Sequence, residues 1–398
     1  MSEKSRGRAR LERVAGCDKR RPPPDLTWLF SQVSTSVVDT HRLFPESNLQ
    51  ENGGNSTLFQ ALPAGTEGVS LLDQQTYRQW KSFMGQQKLS HPRRLRRSTI
   101  ILQPFTAPSL PGYSLSEVAP VVLQHLQRFC TAFFSGMSVE LAPSLNLRSI
   151  ASLTSRVHTS TNRTQYLVGD ILAYLQRHRP SHAQCVMGVA TVDLYPSPEW
   201  NFVLGHASLT SGCGIFGFGR YFSSQFSSTA PTVEHQLGQL WVLARVVTHE
   251  LCHTLGMKHC YYFHCAMNES TSIEEAATQP LFLCPVCLRK LKKWLRFDIF
   301  ERYSQMREVL EETVEVIKDV SPQVSLSVPG NYHTSQEPGD HHCDAEEGKV
   351  HPPSESVFVG THGPNNGSLP QGFQLQRLQA ACQWLHTARE SAHNFCQS

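Results

Sequence analysis

Thr248-His249-Glu250-Leu251-Cys252-His253-Thr254-Leu255-Gly256-Met257-Lys258-His259 decides how the rest of this sequence is read. His249 and His253 are four apart, so on a helix they share one face, one turn above the other. Two imidazoles at that spacing can hold a single zinc ion. Glu250 is turned by about 100° from His249. It therefore stands beside the metal, where a carboxylate can take a proton from zinc-bound water. Gly256 permits a left-handed or irregular turn out of the helix, and only after such a turn can His259 come back as a third ligand. Three protein ligands leave the fourth zinc position to water, the open arrangement of a catalytic site. Leu240, Ala244, Val247, Leu251 and Leu255 fall opposite the histidines. That apolar stripe should bury while the histidine face looks into a cleft. Pro231 suits the first turn of such a helix.

The residues that follow carry a second pattern. His259 runs directly into Cys260, then Cys265 and Met267, then Cys284-Pro285-Val286-Cys287. Cys-x4-Cys with a distant Cys-x2-Cys is a closed four-thiolate zinc pattern, with Zn–S near about 2.3 Å. Four thiolates leave no place for water, so this metal is structural. Zinc held this way supplies about 10–16 kcal/mol of apparent binding energy, ample to hold a loop in place. Two other readings of the cysteines exist. They could form disulfides, which a reducing compartment disfavours. They could build a ribbon that binds nucleic acid, helped by Arg289, Lys290, Lys292, Lys293 and Arg296, although such residues more often mark a solvated helix face.

The extended histidine motif resembles that of the metzincin zinc peptidases, and its run into four cysteines resembles the archaemetzincin family. The likeness covers about Ile100 to Tyr303. Val192-Asp193-Leu194-Tyr195-Pro196, Trp200-Asn201-Phe202 and Gly214-Ile215-Phe216 also look like family segments. The resemblance implies a catalytic zinc on His249, His253 and His259, with Glu250 as general base and Met267 as the Met-turn beneath the site. It implies a structural zinc on Cys260, Cys265, Cys284 and Cys287, so two Zn2+ per chain. Some metzincins place a tyrosine two residues after that methionine. Here the position is Glu269, and no tyrosine ligand is carried over. The implied fold is α+β, a zincin-like metallopeptidase domain with a mixed sheet, an active-site helix and a four-cysteine zinc segment.

The flanking sequence divides the chain. Residues 1–25 are rich in arginine and end in Pro22-Pro23-Pro24, and read as a disordered basic arm. Residues 26–97 read as a partly ordered extension that packs on the catalytic domain, with a helix from Gln75 to Phe83. The domain spans 98–318. Within it Ser116–Phe134 and Thr164–Arg177 have helical apolar periods, and Cys185–Leu194 reads as a central strand. Arg93, Arg94, Arg96 and Arg97 read as a solvated linker ahead of a buried strand. Cys213–Tyr221 alternates glycine with Ile215, Phe216 and Phe218 and reads as an edge strand; zincin-like peptidases dock substrate antiparallel on such an edge. Thr271 and Ser272 precede Glu274 and Glu275 by three, a capping-box signature. Pro, Ser, Gly and acidic residues make 319–371 a disordered linker, before a C-terminal helix and tail at 372–398.

With a formal net charge of +3, nothing global argues for nucleic acid or membrane partners. No apolar run is long enough for a membrane helix. No apolar h-region follows the basic N-terminus, so a signal peptide is not expected. The expectation is a cytoplasmic or nuclear monomer, not a secreted one, acting on peptides or proteins. The chemistry expected is peptide hydrolysis through zinc-bound water activated by Glu250. The alternatives are a catalytically silent, zinc-stabilised binding protein and a zinc-stabilised nucleic-acid module. The intact Glu250 speaks against the first.

Overall fold

Strand alternation sets the layers of this molecule. Residues Ala183–Ala190 are buried at every position, as befits a central strand covered on both faces. The computed structural model describes residues 75–106, 118–222, 236–320, 355–359 and 371–397, apart from 160, 238, 262, 271–274 and 277–278. In chain order the elements are α1 (Tyr77–Ser90), the single turn α2 (Pro92–Leu95), β1 (Thr99–Thr106), α3 (Pro120–Phe133), β2 (Ser138–Leu141) and β3 (Leu145–Asn146). There follow β4 (Ser155–Val157), β5 (Thr164–Leu167), α4 (Val168–Arg177), β6 (Ala183–Ala190), β7 (Asp193–Tyr195), β8 (Val203–Ser208) and β9 (Cys213–Gly217). The chain ends with α5 (Leu240–Thr254), α6 (Pro285–Leu295), α7 (Ile299–Val320), β10 (Glu355–Val359) and α8 (Gln371–Gln397).

One mixed sheet has the order β2-β1-β6-β9-β8-β7-β5-β4, with β3 pairing β1 and β10 pairing β8. β1, β2, β6 and β9 run parallel, whereas β8 runs antiparallel to β9, β7 and β10. The period of two sends Ile100, Leu102, Cys185, Met187 and Phe216 to the face packed by α3 and α5. Ile101, Val186 and Ile215 go to the other face, against Ile171 and Leu175 of α4. The architecture is α+β with helices on both sides of a mixed sheet.

α5 is buried along its whole length. β8 and β9 lie under one side, and α3 and α8 cover others, so the expected two-faced helix is an interior one. Its proposed start at Pro231 lies outside the described residues, as do the basic arm and the capping-box residues Thr271, Ser272 and Glu274. α1 is tied to the far end of α5. Trp80 Nε1 donates to Leu255 O at 3.1 Å, and Gln75 Nε2 donates to Gly256 O at 2.9 Å. Lys290 Nζ of α6 donates to Gln75 O at 2.8 Å, which joins α1 to α6. α8 packs on α7 and α5, and Trp384 stacks on Phe282 with ring centres 4.1 Å apart.

Several local expectations are corrected. Cys213–Gly217 is an interior strand, not an edge, because β6 and β8 flank it. Its glycines do admit close neighbours, but on both sides: a Cβ on Gly214 would meet Met187 Cε at 2.6 Å and Ala207 Cβ at 3.0 Å. Thr164–Leu167 is strand, paired parallel with β7, and the helix starts only at Val168. Arg94 is buried and donates to Thr210 O at 2.8 Å, so the arginine run is not wholly solvated. Within the stretch read as a disordered linker, Glu355–Val359 forms β10. Among the described residues no helix is long and apolar enough to cross a membrane.

Trp80 is 1 % exposed and fills the seam between α1 and the end of α5. Trp80→Ala should destabilise the chain by about 3–5 kcal/mol, read as a lower midpoint in urea unfolding. A change near zero would mean that α1 is peripheral.

Candidate metal centre

α5 carries His249, Glu250 and His253 at its C-terminal end, and the turn beyond it delivers His259. The helix stops at Thr254, and Gly256 adopts φ +77°. Gly256 N donates to His253 O at 2.8 Å and Met257 N to Cys252 O at 3.2 Å, which satisfies the last helical carbonyls. An L-residue would be strained at that φ, and a Cβ there would lie 2.5 Å from Met84 Sδ. The reversal brings Met257 O back to His253 Nδ1 at 2.5 Å. It also sets the His259 ring 5.3 Å from that of His249 and 4.9 Å from that of His253.

The three imidazoles offer ligand atoms that all lie within 4.8 Å of one another. His249 Nδ1 faces Ala266 O at 2.7 Å. A carbonyl only accepts, so His249 and His253 each carry their proton on Nδ1. Their Nε2 atoms then both present lone pairs, yet they stand 2.9 Å apart. Two acceptors at that distance repel unless a cation lies against them. His259 Nε2 is also buried and has no hydrogen-bond partner among the described residues. Burial, with mutual repulsion, holds His249 well below the usual histidine range. His253 is likewise well below it, for burial first and then the nearness of His259. Neutral imidazole is the ligating form. The donor set fits a zinc ion.

Glu250 is 1 % exposed, and neither carboxylate oxygen has a hydrogen-bond partner among the described residues. Burial pushes its pKa well above the carboxylate range, while the nearby Arg245 pulls it back. Arg245 is fully buried one turn earlier in α5, where it donates to Ser270 Oγ at 3.2 Å. Burial brings Arg245 down to about 10. β8 passes directly over the acid, since a Cβ on Gly205 would lie 2.8 Å from Glu250 Oε1. Buried carboxylates without partners are rare because their desolvation goes uncompensated. This one stands beside a triad shaped for a cation.

The second cluster begins at the next residue. Cys260, Cys265, Cys284 and Cys287 are buried, with sulfurs within 4.8 Å of one another. Cys260 Sγ and Cys284 Sγ are 3.6 Å apart, too far for a disulfide, and all four are free thiols. Cys284 is the N-cap of α6 and Cys287 lies in its first turn. Burial raises the Cys265 and Cys284 thiols well above their usual range, so a cation is needed to hold them ionised. The loop between the clusters is pinned by Asn268, whose Nδ2 reaches Cys260 O and Phe263 O while Oδ1 accepts from Cys265 N at 2.7 Å. Ala266 N donates to Phe282 O at 2.8 Å and Cys260 N to Met267 O at 2.8 Å. Met267 is thereby fully buried.

The three histidines and four cysteines picked out from the motif thus lie in two adjoining clusters. Sequence reading missed three participants. Arg245 and Gly205 gave no local signal. Glu269 was noticed only as the absence of a tyrosine. Its carboxylate lies 3.7 Å from His259 Nδ1 and accepts from Tyr261 Oη at 2.8 Å. His249 and His253 are oriented by backbone carbonyls, whereas His259 has a side-chain carboxylate on its Nδ1 side.

Residues 138–293 match the sequence family described as Peptidase family M54. The chain is 33 % identical over 230 residues to archaemetzincin-2 of Homo sapiens, covering 52 % of this chain and 64 % of that protein. It is 33 % identical over 211 residues to archaemetzincin-2 of Rattus norvegicus, covering 48 % and 58 %. Archaemetzincin-1 of Homo sapiens is 34 % identical over 240 residues, covering 54 % and 46 %. The chain therefore spans about half to two thirds of the length of these curated relatives. The crystal structure of archaemetzincin from Methanopyrus kandleri is 20 % identical, with a TM-score of 0.36, and covers 50 % of this chain and 97 % of its own. Through its motif-bearing segment, residues 138–293, this chain is similar to peptidase family M54 and to the archaemetzincins.

Proposed function

We propose that this chain hydrolyses peptide bonds with a zinc ion on His249, His253 and His259 and with Glu250 as the general base. The observation that carries the reading is the convergence of three uncharged imidazole ligands beside a buried, unpartnered carboxylate. Zinc in such a site supplies Lewis acidity toward the scissile carbonyl and acidifies water. The protein's own share is orientation and proton movement. Ala266 O and Met257 O fix two rings in the ligating tautomer. Glu250 accepts the proton of the attacking water and passes it to the leaving amine. Burial raises the Glu250 pKa and the Arg245 charge opposes that rise. The same reading gives Cys260, Cys265, Cys284 and Cys287 a second, structural zinc that holds Met267 and Ala266 O in place.

Peptide docking is assigned to β8 rather than to residues 213–221. Among the described residues β8 pairs with β7 only at Leu194↔Val203, and beyond it β10 is the strand that pairs with β8 on that side. β10 pairs antiparallel there, Val357 opposite His206 and Ser356 opposite Ala207. An extended substrate would make the same backbone ladder and would have to take that place.

Glu250→Gln should keep the metal and lose about 10²–10⁴-fold in kcat/KM on a peptide library. Activity retained by the purified variant would remove Glu250 from the role. Peptides with free and acetylated N-termini in that library separate aminopeptidase from endopeptidase action. Elemental analysis should find two zinc ions in the native chain, one in His253→Ala and one in the Cys284→Ser/Cys287→Ser pair. An unchanged count in either variant would break the assignment of that cluster. Glu269→Gln should weaken metal binding at the histidine site by about 10–100-fold, measured by chelator competition, and leave the sulfur-bound ion in place. Equal affinities would show that Glu269 does not position His259.

A further inference from the structure

Two basic stretches that the peptidase chemistry leaves unused meet at one cavity. It has a volume of about 610 Å³ and is walled by α1, the end of α2 and the residues after it, the turn before β2, Gln184 and the C-terminal end of α6. Lys81, Lys88, Arg96, Arg97, Lys293 and Arg296 line it, and no aspartate or glutamate does. All six are exposed, and none makes an ion pair among the described residues. The formal net charge of the whole chain is only +3, so the remainder carries net negative charge. A solvated basic face ordinarily intersperses acids among its cations. Six like charges around one hollow raise the local positive potential, which draws an anion toward it.

The walls are built, not merely crowded. Gly136 sits at φ +97° with the position of a Cβ only 2.6 Å from Leu295 O, so the turn before β2 abuts the end of α6 without a side chain between them. Lys88 Nζ lies over the Trp294 ring at 5.3 Å. Trp80 and Met84 form the inner wall. The same two side chains reach the catalytic turn, Trp80 through Leu255 O and Met84 against Gly256.

We infer that this cavity binds a small molecule bearing several closely spaced phosphates. The volume suits one compact ligand. Arginines supply planar forks and lysines point charges for phosphate oxygens. A ligand spanning α1, Arg96–Arg97 and the end of α6 clamps α1 onto the core, and with it the contacts that support the Gly256 turn. The same phosphates could be free in solution or carried on a phosphoinositide headgroup. The site is independent of the peptidase reading, because none of its residues touches the histidine or cysteine clusters.

The test titrates the full chain with inositol hexakisphosphate by calorimetry and follows its thermal melting. The expected result is one ligand per chain, a raised melting temperature, and affinity at least about tenfold weaker in Lys88→Glu/Lys293→Glu, since lysine contacts to phosphate are charge-assisted. Lys81→Glu/Arg97→Glu serves as a second variant should the first melt early. Sedimentation with phosphatidylcholine vesicles, with and without phosphatidylinositol 4,5-bisphosphate, separates the sources. Binding to the doped vesicles that inositol hexakisphosphate competes away assigns the lipid headgroup, and its absence assigns the free ligand. No binding of inositol hexakisphosphate would overturn the inference. So would equal binding by the native chain and both variants, which would place the anion elsewhere or reduce the signal to metal chelation.

Discussion

At φ +77° Gly256 turns the chain back under the helix that precedes it, and both candidate metal clusters depend on that reversal. His259 and Cys260 are consecutive, so one turn aims an imidazole at the helix and the next side chain at the thiol pocket. The turn is not held by its own hydrogen bonds alone. Trp80 and Gln75 bond to the carbonyls of Leu255 and Gly256, and Met84 closes the space where a side chain would otherwise fit. A conformation most residues avoid is thus secured by a helix from the far end of the chain.

Electrostatics give the region its purpose. Two imidazoles, one carboxylate, four thiols and the guanidinium of Arg245 are removed from water within a short length of chain, with the partly buried His259 beside them. In a medium of low polarity, lone pairs without donors are costly. The facing Nε2 atoms of His249 and His253, with the Glu250 oxygens nearby, form a cluster that would suit a cation. The thiol cluster follows the same logic, since burial raises the Cys265 and Cys284 thiols and a cation would oppose that. Sharing the loop 260–268 couples the two clusters. The carbonyl that orients His249 comes from Ala266, one residue beyond Cys265. Loosening the sulfur-held segment would therefore misalign the histidine site.

α1 serves two regions at once. One set of its side chains buttresses the Gly256 turn, while Lys81 and Lys88 face the basic cavity shared with the end of α6. Gln75 is the joint, bonded to Gly256 O, Lys258 N and Lys290 Nζ. Segments distant in sequence are tied into one support for the site. The C-terminal helix α8 adds cover from another side, with Trp384 stacked on Phe282 just before the cysteine pair at the start of α6.

The local geometry was legible in the sequence. Helical spacing puts His249 and His253 on one face, Gly256 marks the reversal, and the cysteine spacings mark a closed pocket, because each depends on residues a few positions apart. The apolar run from Cys185 likewise read as a central strand. Contacts made across the chain were not legible. Glycine alternation in Cys213–Gly217 does report close neighbours, but only the sheet order shows that they lie on both sides and that β8 borders Glu250. The burial of Arg94, the all-round burial of α5 and the nearness of Glu269 to His259 likewise arise from partners far along the chain. Residue type and spacing decided which side chains could bind a metal. Only tertiary packing decided their tautomers, their partners and their isolation from water, since those are properties of what surrounds a group rather than of the group itself.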